Sequence, residues 1–494
     1  MKSLNGRSLV FRCCALLFVL LGMLLVAGCA GKTSSLPVRP EELPYESVKY
    51  DPPTPLEWKL ENGLTVLFLQ DSELPLVSGS LFIPGGSYWE EKLGVASVMG
   101  SQMRAGGAGQ LSPQQLDETL VEMAAGISSG FGDEYGTFGF GCLSADIDRL
   151  FPLFADVLLR PRFDDGRLEL WRGQALESIR RRKDDPNTVV SVSMSEILFG
   201  DNVYGRVSDI RDVASIDRLD LLRAHREFVR PNGAYLVLSG DLTRAKAEAL
   251  VSKYLGEWSP RESELGPPPQ FTYTPSPGIY FIEKPLQQAN ILVSELGPTR
   301  HSPDRYDIEV FNQIFGTAGF DSRLMQRVRT QLGLVYGIYG GISAGRVVGQ
   351  NYIGMQTKSE SAGLALGESL RILQGLQEEP AREEELAIVK QAAQSAFVFK
   401  FASTEQVVRR QALLRLLEYP EDFDQTFLDR IFAVNQAGVE RVANTRWDLS
   451  QLVIVVVGDK TAFESVARLV ADPESVLHGY PFRTVQFENR VKLS

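Results

Sequence analysis

The stretch that decides the fold is Gly94-Val95-Ala96-Ser97-Val98-Met99-Gly100-Ser101-Gln102-Met103-Arg104. Its apolar residues recur at the three- and four-residue spacing of a helix that buries one face. A strand that closes at Pro84-Gly85-Gly86 precedes the stretch, and a glycine-rich run follows it. The sequence therefore predicts a helix directly after a buried strand, with Ser97, Gly100 and Ser101 among the helical residues.

Two parts of the chain repeat the same order of elements. Gly63–Leu67 at the start of the first part matches Gly278–Ile282, and the strand and turn Tyr235–Asp241 match Leu452–Asp459. The matched positions lie 215 and 218 residues apart. An internal duplication that produces two α+β halves explains this pattern. Two unrelated halves are the alternative.

A proline-rich run separates the two halves, because no compact element can hold so many prolines. We predict a signal peptide over 1–28, a flexible tether over 29–55, an N-terminal domain over 56–258, a linker over 259–277, a C-terminal domain over 278–475 and a tail over 476–494.

The N-terminus has the pattern of a targeting segment. Basic residues at positions 2, 7 and 12 precede Cys13–Gly28, a run of 16 uncharged and mostly apolar residues. The run is shorter than the span of about 20 residues that a transmembrane helix needs, and small residues precede Cys29. This resembles a bacterial lipoprotein signal with Cys29 as the lipidation site. An uncleaved anchor is the alternative. The cleaved lipoprotein signal and the uncleaved anchor both place the folded part outside the cytoplasm. Ala30, the residue after Cys29, favours the outer membrane as the site of the lipid anchor.

Charge and cysteine content narrow the possible partners. Removal of residues 1–28 would take away three basic residues and change the formal net charge from −11 to −14. This negative field opposes binding to nucleic acid and to anionic lipid surfaces. Only Cys142 remains after Cys29, so no intrachain disulfide is expected.

Three segments in a fixed order carry a resemblance to a known family. They are Asn62–Leu64 leading through Gly85–Ser87 to Gly94–Ser97, then Leu159–Phe163 followed by Arg172–Ile179, and finally Phe228–Asn232 leading to Gly240-Asp241. Together they resemble the insulinase/pitrilysin-type zinc metallopeptidase family, in its processing-peptidase-like bacterial branch. The resemblance implies an α+β fold with two homologous α/β-sandwich domains, each an antiparallel sheet covered by helices, in a clamshell arrangement. It also implies zinc in one half and an extended peptide substrate that adds to a sheet edge.

The zinc ligands of that family are missing here. The family binds zinc through His-x-x-Glu-His on one helix and a later Glu. In this chain Ser97, Ser101 and Ser178 stand at the ligand positions and Gly100 stands at the position of the general base. Glu177 lies one position too early and points elsewhere on its helix. The three histidines, none within a helical turn of another, are His225, His301 and His478. We therefore expect no zinc in this chain.

One functional pair does match the family. Arg329 and Tyr336 lie seven residues apart in the second half. The resemblance implies that they reach the zinc site, hold the substrate carbonyl and stabilise the developing oxyanion. From the residues alone, a solvated arginine at a helix end and a packed strand tyrosine are the alternative.

Three hypotheses about function follow. The first is a membrane-tethered, non-catalytic subunit of a heterodimeric zinc peptidase, in which a homologous partner subunit carries the zinc and this chain supplies Arg329 and Tyr336. The second is a non-enzymatic peptide-binding or scaffold protein of the cell envelope. The third is a zinc peptidase with unrecognised ligands.

Overall fold

A computed structural model of the protein describes residues 52–262 and 265–492. The expected signal peptide, Cys29 and the tether up to residue 51 lie outside the described residues. In the two described ranges, no helix has both the length and the apolar character that a bilayer span requires.

The first half of the chain contains a six-stranded mixed sheet. Its strands are β1 (Leu56–Lys59), β2 (Thr65–Gln70), β3 (Leu76–Pro84), β4 (Gly126–Phe131), β5 (Tyr135–Leu143) and β6 (Tyr235–Gly240). They lie in the order β1-β2-β6-β3-β5-β4. Only β2 and β6 pair in parallel, and every other neighbouring pair is antiparallel.

The second half builds an equivalent sheet. Its strands are β7 (Gly278–Glu283), β8 (Gln288–Gly297), β9 (Val335–Ser343), β10 (Gly349–Lys358), β11 (Val453–Gly458) and β12 (Phe482–Thr484). The order is β12-β7-β11-β8-β10-β9, with β7 parallel to both β11 and β12. A two-stranded ribbon, β13 (Gln486–Phe487) and β14 (Val491–Lys492), follows. The strands β2-β6-β3-β5-β4 of the first sheet correspond, in this order, to β7-β11-β8-β10-β9 of the second sheet. Neighbouring strands have the same relative directions in both. The predicted α+β class with two equivalent halves is confirmed, and each sheet is mixed, because the first sheet has one parallel pair of strands and the second has two.

Helices surround both sheets. Those of the first half are α1 (Val95–Ala105), α2 (Pro113–Glu122), α3 (Ile147–Leu159), α4 (Asp165–Arg181), α5 (Pro186–Phe199), α6 (Ile210–Ser215), α7 (Arg218–Phe228) and α8 (Arg244–Leu255). Those of the second half are α9 (Arg305–Asn312), α10 (Ala362–Glu378), α11 (Glu383–Phe397), α12 (Thr404–Leu416), α13 (Phe423–Ala433), α14 (Gln436–Arg446) and α15 (Lys460–Ala471). Two π-helical segments, Gln313–Thr317 and Met325–Gln331, lie between α9 and β9.

Each sheet buries its second face under a helix from the other half. In β2, Val66 and Phe68 face the helices of the first half, whereas Leu67 packs against Val408 of α12. This alternation follows from the two-residue period of a strand. We call α5 and α12 the exchanged helices.

The second sheet repeats this arrangement with α5. Ile454 and Val456 of β11 join the core of the second half, whereas Val455 packs in a cluster with Met194 and Leu198 of α5. The exchanged helices therefore join both halves into shared cores.

Charged groups reinforce the contact between the halves. Glu134, in the hairpin between β4 and β5, pairs with Arg300, and one of its oxygens lies 3.8 Å from Arg346. At one exchanged helix, the Thr404 hydroxyl donates a 2.9 Å hydrogen bond to Asp71. The side chains of Arg300 and Glu134 are only 11% and 15% exposed, so this pair, together with the Thr404 hydrogen bond, orients the two halves across a mainly apolar interface.

The first prediction concerns α5. Leu198 is fully buried in the cluster with the second sheet, so Leu198→Ala should lower the free energy of unfolding by about 2–5 kcal/mol. Leu219→Ala on α7 is the matched control, because the Leu219 side chain is 64% exposed, and its effect should stay within about 0.5 kcal/mol. Urea unfolding followed by tryptophan fluorescence measures both. Equal effects would contradict the shared core.

Candidate functional site

The candidate site begins at the N-terminus of α1, where a buried carboxylate caps the helix. The two oxygens of Glu90 accept hydrogen bonds from the backbone N–H of Gly94, at 2.7 Å, and of Ala96, at 2.9 Å. Burial raises the pKa of Glu90, and these two hydrogen bonds act in the opposite direction. The Glu90 carboxylate therefore satisfies backbone N–H groups at the start of α1.

The serines at the predicted ligand positions lie on exposed surface. Ser97 and Ser101 are on the outer face of α1, and the Ser101 hydroxyl donates to the Val98 carbonyl at 2.9 Å. Ser178 is exposed on α4, where the neighbouring Glu177 pairs with Arg181 at 2.6 Å. Within residues 52–262 and 265–492, no group of three or more His, Cys, Asp or Glu side chains could hold a metal ion. The residues at this site do not fit a zinc ion.

Gly100 lies in direct contact with the backbone of β4. A Cβ atom at this position would lie 2.4 Å from the Phe131 nitrogen and 2.7 Å from the Gly130 carbonyl carbon. The Ser129 hydroxyl donates to the Gly100 carbonyl at 2.6 Å and accepts from the Arg104 N–H at 3.1 Å. It thus bridges two backbone groups that are partners in a regular helix. The position of the general base is a close-packed contact with no room for a side chain.

The second half has the same contact at the equivalent place. Gly316 lies 216 positions after Gly100, in the first π-helical segment. A Cβ atom there would lie 2.5 Å from the carbonyl oxygen of Gly340 on β9. Both halves therefore use a glycine to seat a helix on the edge strand of a sheet.

Arg329 and Tyr336 lie side by side on the surface of the second half. The Arg329 guanidinium carbon is 5.3 Å from the centre of the Tyr336 ring and 4.6 Å from the centre of the Phe320 ring. Tyr336 is 87% exposed and Phe320 is 63% exposed. Among the described residues, neither the Arg329 guanidinium nor the Tyr336 hydroxyl has a hydrogen-bond or ion-pair partner, whereas the Arg329 carbonyl accepts from the Gly333 N–H at 3.0 Å. The pair therefore presents unused donors to solvent, held in place by cation–π contacts.

Two backbone irregularities position this pair. Arg329 belongs to the π-helical segment Met325–Gln331, and such segments are often found at functional sites. In β9, Val335 pairs with Thr357 and Gly337 pairs with Gln356, so Tyr336 is the extra residue of a β-bulge. A bulge changes the direction of one side chain relative to the strand, which explains the high exposure of this tyrosine.

The structure brings together some of the predicted site residues and leaves others apart. Arg329 contacts Tyr336, but no hydrogen bond, ion pair or ring contact in the described ranges joins either of them to the serines at 97, 101 and 178. Phe320 was missed by the sequence analysis; the only local signal is that this aromatic residue directly follows Gly319. The histidines make separate contacts: His225 with the Leu158 carbonyl at 2.8 Å, and His301 with the Tyr419 ring at 5.6 Å.

Comparison with known proteins supports a relationship to peptidases. Residues 215–393 match the family model described as the peptidase M16 inactive domain, a range that includes Arg329 and Tyr336 and excludes α1. An uncharacterized zinc protease of Mycobacterium leprae is 28% identical over 235 residues, which are 45% of this chain and 53% of that protein. The match thus spans about half the length of this relative.

Solved structures share the fold. The peptidase M16 inactive domain from Pseudomonas fluorescens superposes with a TM-score of 0.75 at 24% identity, over 82% of this chain and 98% of that one. A protease from Helicobacter pylori gives a TM-score of 0.72 at 16% identity, over 82% and 99% of the two chains. These structures show that the fold is shared with the peptidase M16 inactive domain, while Ser97, Gly100, Ser101 and Ser178 stand where the resembled family has its zinc-binding motif.

The second prediction tests the contact at Gly100. Gly100→Ala should lower the free energy of unfolding by about 1–3 kcal/mol, because the added methyl group overlaps the β4 backbone. Gly173→Ala in α4 is the matched control, since a Cβ atom there meets nothing within 4 Å. It should raise stability by about 0.5–1 kcal/mol. Thermal and urea unfolding measure both variants, and a neutral Gly100→Ala would show that the helix is not seated on the strand.

Proposed function

We propose that this chain is the non-catalytic subunit of a heterodimeric zinc peptidase. In this proposal a homologous partner subunit carries the zinc, and this chain supplies Arg329 and Tyr336 to the substrate carbonyl. The observation that carries the proposal is the exposed pair with unused donors, on a chain whose own base position at Gly100 is closed by packing.

The chemistry of the pair suits this role. A guanidinium N–H and a phenol O–H both donate to a carbonyl oxygen that gains negative charge during peptide hydrolysis. Arg329 lies between two aromatic rings, which reduces the entropy lost when the side chain is fixed against substrate. The partner would supply the metal and the activated water.

The sheet edges suit an extended peptide. β4 and β9 each stand last in the order of their sheets. An edge strand leaves backbone N–H and C=O groups free to pair with an added strand. We therefore include an extended peptide substrate in the proposal.

The location of the protein is also proposed. Lipidation of Cys29 would tether the chain to the cell envelope, with the folded part facing the periplasm and the outer membrane as the favoured site. This rests on the N-terminal sequence pattern, including Ala30 after the cysteine.

The third prediction tests the proposed role in a reconstituted pair. A neighbouring reading frame is expected to encode a relative with an intact His-x-x-Glu-His motif, and the two purified chains are mixed with a fluorogenic peptide. Arg329→Ala in this chain should lower kcat by about 10²–10³-fold, as expected for loss of one oxyanion donor. Tyr336→Phe should also lower kcat, because it removes only the hydroxyl donor.

Arg244→Ala is the control, because Arg244 is an exposed arginine on α8 that pairs with Glu248 at 2.8 Å. It should leave kcat unchanged. Full activity of the Arg329→Ala and Tyr336→Phe pairs would refute the role of these residues. A pull-down with the tagged chain provides a second test. If it recovers no zinc-bearing relative, the result would favour a scaffold protein of the envelope.

A further inference from the structure

A groove on the second half concentrates arginines on a chain whose net charge is −11. It lies between the second π-helical segment, α10 and the start of α11, and has a volume of about 550 Å³. Arg323, Arg327, Arg371 and Arg382 line it. We call it the arginine groove.

Two nearly buried glutamates hold these arginines in place. Glu385 accepts two hydrogen bonds from Arg323, at 2.9 and 2.8 Å, and two from Arg382, one from the guanidinium at 3.1 Å and one from the backbone N–H at 2.8 Å. Glu368 accepts from Arg327 at 3.0 Å and from Arg371 at 2.6 Å. Each glutamate is 11% exposed. Burial raises the pKa of Glu385, but the hydrogen bonds outweigh it and bring the pKa to about 2, so its charge persists at neutral pH.

The arrangement leaves positive charge and donors unused. Each glutamate neutralises one of its two arginines, and Glu379 also lines the groove, so four arginines and three glutamates leave the lining with a net charge of +1. Arg371 and Arg382 each use a single guanidinium nitrogen in their side-chain hydrogen bonds among the described residues. Their remaining N–H groups can donate to a further oxygen acceptor.

We propose that the arginine groove binds an acidic peptide segment through its side-chain carboxylates. Guanidinium groups recognise carboxylates with two parallel hydrogen bonds, and here the resident glutamates orient them in advance. The net charge of +1 suits a peptide with few carboxylates, and Glu368, Glu379 and Glu385 oppose a dense polyphosphate. The amide side chains of Gln326 and Gln331, which also line the groove, suit a peptide backbone. The proposal stands independently of the role of Arg329.

The fourth prediction is tested with the full chain at low ionic strength, since the interaction is electrostatic. The probe is the capped peptide acetyl-Gly-Glu-Gly-Glu-Gly-amide, and its glutamine analogue is the neutral comparison. Isothermal titration should give saturable binding of the first peptide only. Arg371→Gln combined with Arg382→Gln should weaken that binding at least tenfold. This double variant is expected to fold, because Arg327 still pairs with Glu368 and Arg323 still pairs with Glu385.

Arg244→Gln is the matched control, as it removes the same charge from a glutamate-paired arginine outside the groove. It should change the affinity by less than twofold. Equal weakening by this control, or equal binding of the glutamine peptide, would overturn the proposal. Binding of inorganic phosphate that depends on Arg371 and Arg382, without binding of the acidic peptide, would overturn it as well.

Discussion

The structure depends on the need of each sheet to bury two apolar faces. The central strand β11, Val453–Gly458, is buried along its whole length, so helices on one side alone could not cover its sheet. The chain meets this need by exchange: α5 covers the second sheet and α12 covers the first. Neither half has a complete core without the other. The relative placement of the two halves is therefore built into the same packing that stabilises them, and the surface that carries Arg329 and Tyr336 is positioned by it.

Within this frame, the first half closes the base position by packing, and the second half carries the exposed side chains of Arg329 and Tyr336. The helix that resembles a zinc helix is seated on β4 through Gly100 and is bridged to it by Ser129. The second half seats its corresponding helix in the same way through Gly316. The chain thus lacks the zinc ligands, and at Gly100 the backbone of β4 occupies the volume that a side chain would need. The positions of Arg329 and Tyr336 depend on a π-helical segment and a β-bulge. Both irregularities disrupt the regular backbone hydrogen bonding, and both lie at the residues whose side-chain donors are unused.

The sequence predicted much of the fold because strand alternation and turn residues are local signals. The strand at Tyr235, the helix that holds Ser97, Gly100 and Ser101, and the repetition of both halves all follow from such patterns. The helix α5 is not among the elements predicted from the sequence, because Asp185-Pro186 can mark the end of one helix as well as the start of the next. In the structure Asp185 caps the start of the next helix, with the proline at its first position. The residues of α5 do not reveal which sheet the helix covers, because the strands of that sheet lie far away in the chain. The resemblance to the peptidase family singled out Arg329 and Tyr336 as a pair, whereas the bulge depends on the register with β10 and the closure at Gly100 depends on the position of β4.

The central claim is that this chain holds no catalytic metal and acts through its surface donors. The most direct test is metal analysis of the purified chain after incubation with zinc and extensive dialysis, with peptide hydrolysis measured on the same sample. The account predicts zinc well below one ion per chain and no hydrolysis that a chelator removes. One tightly bound zinc ion per chain, together with chelator-sensitive cleavage of peptides by the chain alone, would contradict it.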